Sequence, residues 1–178
     1  MASPQTLSEA DRRLVAAWAA DCADRMLPLF EAEAPADDRP RDAIARARAF
    51  SRGELDAAGE IRRRFVANRA AHSVQAPAAK AAAWAAGQAA GVAHMGAHAL
   101  GAAAYAAKAA ALTSPESRDG DAHRDAEIAW QLDHLSDPVR AALKRLPLLG
   151  TDPSGPLGTG LLASGALGAN IRTLQASL

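Results

Sequence analysis

Ala81 to Ala107 reads AAAWAAGQAAGVAHMGAHALGAAAYAA and carries no formally charged residue over roughly seven helical turns. A helix that is apolar on every side is buried among other helices or inside a membrane, so this stretch decides the fold. It is long enough to span a bilayer. Its composition argues otherwise, because Ala and Gly contribute little to insertion and Gln88, His94 and His98 oppose it. Only Val92, Met95 and Leu100 are strongly lipophilic, and Lys80 and Lys108 stand alone at the two ends. The stretch therefore reads as the central helix of a soluble all-α bundle. Ala83, Gly87 and Gly91 recur every four residues, a face on which neighbouring helices can approach closely. Gly inside a helix costs about 1 kcal/mol against Ala. Gly87, Gly91, Gly96 and Gly101 are thus expected to have packing or site reasons, unless they reflect drift in an Ala/Gly-rich composition.

That composition is visible throughout. Ala supplies more than half of the 49% hydrophobic fraction, and Arg outnumbers Lys by 17 to 3, a pattern of GC-rich bacterial coding. The core is leaner than 49% suggests, since burying Ala yields far less than burying Leu. A length of 178 residues fits one domain. A net charge of zero leaves no electrostatic footprint for nucleic acid. The single cysteine, Cys22, excludes an internal disulfide. Asp11, Arg12 and Arg13 interrupt any signal-peptide pattern, so a cytoplasmic location is expected.

Around the uncharged stretch the chain reads as helices with almost no strand signal. Thr6-Leu7-Ser8-Glu9 fits a capping box ahead of Leu14, Val15, Trp18, Cys22, Met26, Leu27 and Phe30 at helical spacing. Asp38 is a good N-cap for a helix with Pro40 in its first turn, running through Ile44 and Phe50 to Gly53. A third helix is expected over 54–74, with Leu55, Ile61, Phe65 and Val66 inward and Arg62-Arg63-Arg64 outward. The uncharged helix follows over 77–112, then a polar loop from Thr113 to Asp121 and a helix over 122–135. Ser136-Asp137-Pro138 opens a short last helix ending near Leu146. The expectation is a compact bundle of five or six helices around a central Ala/Gly-rich helix over 1–147, with a Gly/Pro/Ser-containing C-terminal extension over 148–178. Within that extension, 161–178 could form one weak helix.

Trp18-Ala19-Ala20-Asp21-Cys22-Ala23-Asp24-Arg25-Met26-Leu27-Pro28-Leu29-Phe30-Glu31 resembles the opening helix of the immunity-five-like domain family of bacterial immunity proteins. Asp37-Asp38-Arg39-Pro40-Arg41-Asp42-Ala43-Ile44 matches that family's next segment, residues 85–99 match a later Ala/Gly/His segment, and Trp130-Gln131 matches a WQ pair. Gln88 stands where the family pattern often has a His, and the stretch after Pro147 has no counterpart in it. The resemblance covers about residues 7–147. It implies a helical fold and an association with toxin systems, without a mechanism.

His94 and His98 lie at i and i+4 on one helix face, a spacing that metal sites use. A metal needs further ligands and a second shell, which the neighbouring Ala and Gly do not offer, so no metal and no cofactor is assigned. A polar pocket lined by the two histidines and simple packed histidines both remain open. His72, His123 and His134 read as solvated. Asp21 and Arg25 form a favourable i, i+4 surface pair. Asp21 could instead join Asp38, Arg39 and Arg41 in a half-buried ionic cluster that fixes a turn or binds an anion. Arg39 is the best ligand contact there, since its guanidinium offers bidentate recognition. Cys22 lies on the apolar stripe and reads as an inert core thiol.

Two functions from different classes follow. The first is an immunity-type protein that binds a partner, such as a toxin, stoichiometrically. The second is a small-molecule-binding protein or biosynthetic enzyme with a pocket built from His94, His98, Asp21, Arg39 and Trp84. No catalytic residue is assigned, self-association into a homodimer stays open, and neither nucleic acid nor a membrane is an expected partner.

Overall fold

The computed structural model describes residues 3–63, 65–114 and 118–178, with the Arg118 side chain left out. Every regular element among them is helical. The first helix, α1 (Glu9–Glu31), starts two residues later than the sequence suggested. Ser8, not Thr6, is the N-cap, and its Oγ accepts the Asp11 amide at 3.0 Å. Of the α1 stripe, Val15, Trp18, Cys22, Met26, Leu27 and Phe30 are buried as their spacing predicts, whereas Leu14 is 39% exposed. Helix α2 (Arg39–Ser51) follows from Asp38, with Pro40 in its first turn. Arg48 ties the two helices, donating to Asp21 Oδ1 at 2.8 Å and Asp24 Oδ2 at 3.1 Å.

The expected third helix over 54–74 is broken into α3 (Ala57–Arg63) and α4 (Val66–Ala70), ending in a short 3₁₀ turn, Ala71–Ser73. Phe65, expected inside, lies at the break and is 51% exposed. Leu55, Ile61 and Val66 are half-buried. Arg64 falls outside the described residues.

The uncharged stretch is two helices rather than one, α5 (Pro77–Gly91) and α6 (His98–Ala111), folded against each other as a hairpin. The cause lies far away in sequence. The amides of Gly96 and Ala97 donate to Thr6 O and Gln5 O, both at 3.0 Å, so residues 5–6 satisfy backbone groups that a continuous helix would have used itself. Leu7 packs where a Gly96 side chain would have been. Within α6 only His98, Lys108 and Ala111 escape burial. Among the described residues, no helix is long and apolar enough to cross a membrane.

Helix α7 (Arg118–Asp133) begins inside the stretch expected to be loop, of which residues 115–117 are not described. Helix α8 (Asp137–Leu143) follows Ser136, with Pro138 in its first turn. The extension then packs onto the bundle. A 3₁₀ turn (Leu161–Ala163) leads into α9 (Gly165–Ala176), which lies on α6. Leu157, Leu162, Leu167, Ile171 and Leu174 are buried in the same core as α1 and α6. Asn170 Nδ2 donates to Ala104 O at 3.1 Å from a buried position. Gln5, fully buried, accepts the Leu157 amide at 2.8 Å and donates to Ser154 O, pinning the extension to the N-terminus. Gly155 turns at φ +72° directly beside the Gln5 amide, where a side chain would collide. Among the described residues, the five or six helices expected over 1–147 and the weak helix expected over 161–178 become α1–α9, the two breaks splitting the third and the uncharged helix.

Candidate functional site

Helices α5 and α6 run antiparallel, and one face of the hairpin carries matched rungs. Lys80, Trp84 and Gln88 recur every four residues on α5, while His98, Tyr105 and Lys108 lie along α6. The Trp84 and Tyr105 rings stack with centroids 6.1 Å apart and planes 22° apart. One rung away, His98 Nδ1 lies 2.8 Å from Gln88 Oε1. An amide oxygen only accepts, so Nδ1 carries the proton in this pair. Burial pushes the Tyr105 hydroxyl above its ordinary value, so it is neutral at physiological pH.

Two glycines make room for the Gln88–His98 rung. A Cβ on Gly91 would sit 2.9 Å from His98 Cγ, and one on Gly101 would overlap the Gln88 amide oxygen. Here the helix cost of glycine has a steric reason, as the sequence suggested. Trp84, His94 and His98 line a cavity of about 370 Å³, walled on its far side by Leu161 and Leu162 of the extension. A second cavity, of about 510 Å³, shares Trp84, Tyr105 and Leu161 with it and ends at Lys80 and Lys108. The two form one groove.

Three of the five candidate ligand residues therefore come together, and two do not. Asp21 is exposed and held by Arg48, not by Arg25. Arg39 pairs with Asp37, and the ionic cluster expected with Asp21 does not form, because each charge takes a nearer partner. The bidentate Arg39 contact, with help from Ser73, draws the Asp37 carboxyl down to about 2. Arg41 pairs with Glu31 at 2.5 Å. Sequence reasoning passed over Lys80, Lys108 and Tyr105, although the i, i+4 step from Lys80 to Trp84 was a usable signal.

Arg25 reaches across to α7 instead. Its Nε donates to Glu127 Oε2 at 2.9 Å, and its guanidinium lies 4.0 Å from the Trp130 ring centroid. Glu127 is 3% exposed, and burial pushes its carboxyl above the ordinary value against the opposing pull of Arg25. Gln131 Nε2 donates to Ala103 O and to Glu127 Oε1, and Trp18 Nε1 donates to Gln131 O. Beside this cluster, Thr113 Oγ1 lies 3.0 Å from His123 Nδ1. The Thr113 proton is committed to Ala110 O at 2.7 Å, so His123 donates to the threonine and does not activate it as a nucleophile. Cys22 is fully buried, and burial holds its thiol well above the ordinary value. His72, His123 and His134 are exposed, His134 stacking on Trp130 with centroids 3.9 Å apart. Among the described residues no three His, Cys, Asp or Glu side chains cluster as a metal set would.

A family model described as "Imm-5 like putative immunity protein" matches residues 5–138. The chain belongs to this family. No curated protein and no solved structure matches it. The Imm-5-like match takes in α1 to α7 and ends as α8 begins. It therefore includes both helices of the groove, whereas the groove's outer wall at Leu161 and Leu162 lies beyond the matched residues.

Proposed function

We propose that this Imm-5-like chain is an immunity-type protein that neutralises a protein partner by occupying it, at 1:1 or 2:2 stoichiometry, in the cytoplasm. The partner is a toxin encoded beside it. Family membership supports the immunity role in outline. The observation that carries the contact surface is the α3–α4 break. There Phe65 is 51% exposed between Arg62 and Arg69, both exposed and without an ion pair among the described residues. Most other described arginines are matched to a carboxylate or carbonyl. Exposed aromatic and Arg side chains are what interface centres concentrate.

Beneath this face the frame is firm. Arg46 grips the buried Glu60 in a bidentate pair, and Arg63 reaches Asp42 at 3.2 Å. Arg63 thus supports the face from α2, which makes Arg62 and Arg69 the better residues to alter. The matching patch on the partner is acidic with an apolar socket for Phe65. Co-expression with the neighbouring gene product, followed by mass measurement of the purified complex, tests this reading. The Arg62→Glu/Arg69→Glu variant should fold normally and lose the complex. A complex that survives this reversal together with Phe65→Ser would place the contact elsewhere.

A further inference from the structure

We propose that the groove between α5, α6 and the C-terminal segment binds a small amphipathic carboxylate, an aromatic or fatty acid spanning up to about 12 Å. That length is the eight-residue rise from Lys80 to Gln88 at about 1.5 Å per residue.

Each third of the groove matches one part of such a molecule. At one end are Lys80 and Lys108, neither of them in an ion pair with a described residue. Two of the chain's three lysines stand here, and no acidic residue lines either cavity. A carboxylate supplies the missing counter-charge. In the middle, the Trp84–Tyr105 stack and Leu161 form an apolar bed. Leu161 is 69% exposed, so a ligand seated there covers apolar surface now open to water. At the far end, Gln88 and His98 supply a hydrogen-bonding rung whose position depends on Gly91 and Gly101. A groove with an apolar bed and a few convergent polar groups suits a small ligand, and its two parts, about 370 Å³ and about 510 Å³, each fall within the range of roughly 300–1,000 Å³ usual for such ligands. Specificity would come from Leu161 and Leu162, which lie outside the family-matched residues.

The test uses the full chain with 4-phenylbutyrate and its uncharged counterpart, 4-phenylbutan-1-ol, by titration calorimetry. The acid should bind at least tenfold more tightly than the alcohol, and its binding should weaken as salt is raised. Lys80→Met/Lys108→Met keeps the aliphatic stems and should erase that tenfold preference while leaving alcohol binding unchanged. Trp84→Leu should weaken both. Equal binding of acid and alcohol, an unchanged preference in the double variant, or no binding at millimolar acid would overturn the proposal. So would a tetrapeptide, acetyl-Glu-Trp-Glu-Glu-amide, that binds where the acid does not, since the groove would then be a peptide dock. The α3–α4 face is untouched by these variants, so complex formation with the protein partner reads out separately.

Discussion

Replacing Gln5 with Ala tests whether the C-terminal extension is part of the fold. The Gln5 side chain is fully buried, accepts the Leu157 amide at 2.8 Å and donates to Ser154 O. Leu157 is itself fully buried, so its amide would lose its partner without access to water. A buried polar group left unpaired costs about 1–3 kcal/mol. The Ser154 carbonyl belongs to an exposed residue and can turn to solvent, so it adds little. The one lost methylene costs about 0.8 kcal/mol, and the side-chain entropy no longer spent on folding gives back about 1.5 kcal/mol. The net expectation is a loss of about 1 kcal/mol. At roughly 2–4 °C per kcal/mol for a chain of this size, the melting temperature should fall by about 2–4 °C. Urea denaturation gives the free energy, and hydrogen exchange at the Leu157 amide reports the local effect. Gln5→Glu should be worse at neutral pH, because a carboxylate then faces the Ser154 carbonyl, and should recover on acidification. A change below about 0.5 kcal/mol with Leu157 exchange unaltered would show that the extension does not depend on this contact.

The groove and the α1–α7 bridge give two further expectations. Gly91→Leu should destabilise by about 1–3 kcal/mol through overpacking against His98, and a neutral result would mean that the ring has room to move. Arg25→Ala should cost about 1–3 kcal/mol at pH 7, where it strands the buried Glu127 carboxylate. Because the Glu127 pKa is raised on folding, its contribution is fully present below the ordinary value of 4.5 and is lost as pH rises through the folded value. The Arg25→Ala penalty should therefore shrink below pH 4.5; a penalty independent of pH would show that packing on Trp130, not charge, is what Arg25 provides.

The helix starts after Asp38 and Ser136, and the buried stripe of α1, were legible because a first-turn proline and apolar spacing act within a few residues, although neither Asp38 nor Ser136 caps with its side chain. The burial of most of residues 81–107 was legible too, since nothing charged interrupts them, although His94 is exposed. The break between α5 and α6 was not, because Ala-rich sequence favours continuation and the groups that end it belong to Gln5 and Thr6. The packing of α9 was equally hidden, as Leu157, Leu162 and Ile171 sit in a stretch of Gly, Ser and Pro with no period. His94, His98 and Trp84 do meet on one cavity, but not by the shared helix face read for the two histidines, because the chain breaks between them: His94 lies in the turn after α5 and His98 opens α6. Asp21 and Arg39 lie away from that cavity, held by Arg48 and Asp37, which spacing along one helix could not show.

The central claim is that this chain acts by occupation and not by turnover. The direct measurement titrates the purified chain into a fixed amount of the toxin proposed as its partner and follows the residual toxic activity. Activity should fall linearly to zero at one chain per toxin, and the Arg62→Glu/Arg69→Glu variant should leave it untouched. Full protection at a small fraction of an equivalent, growing with incubation time, would contradict the account and make the chain an enzyme.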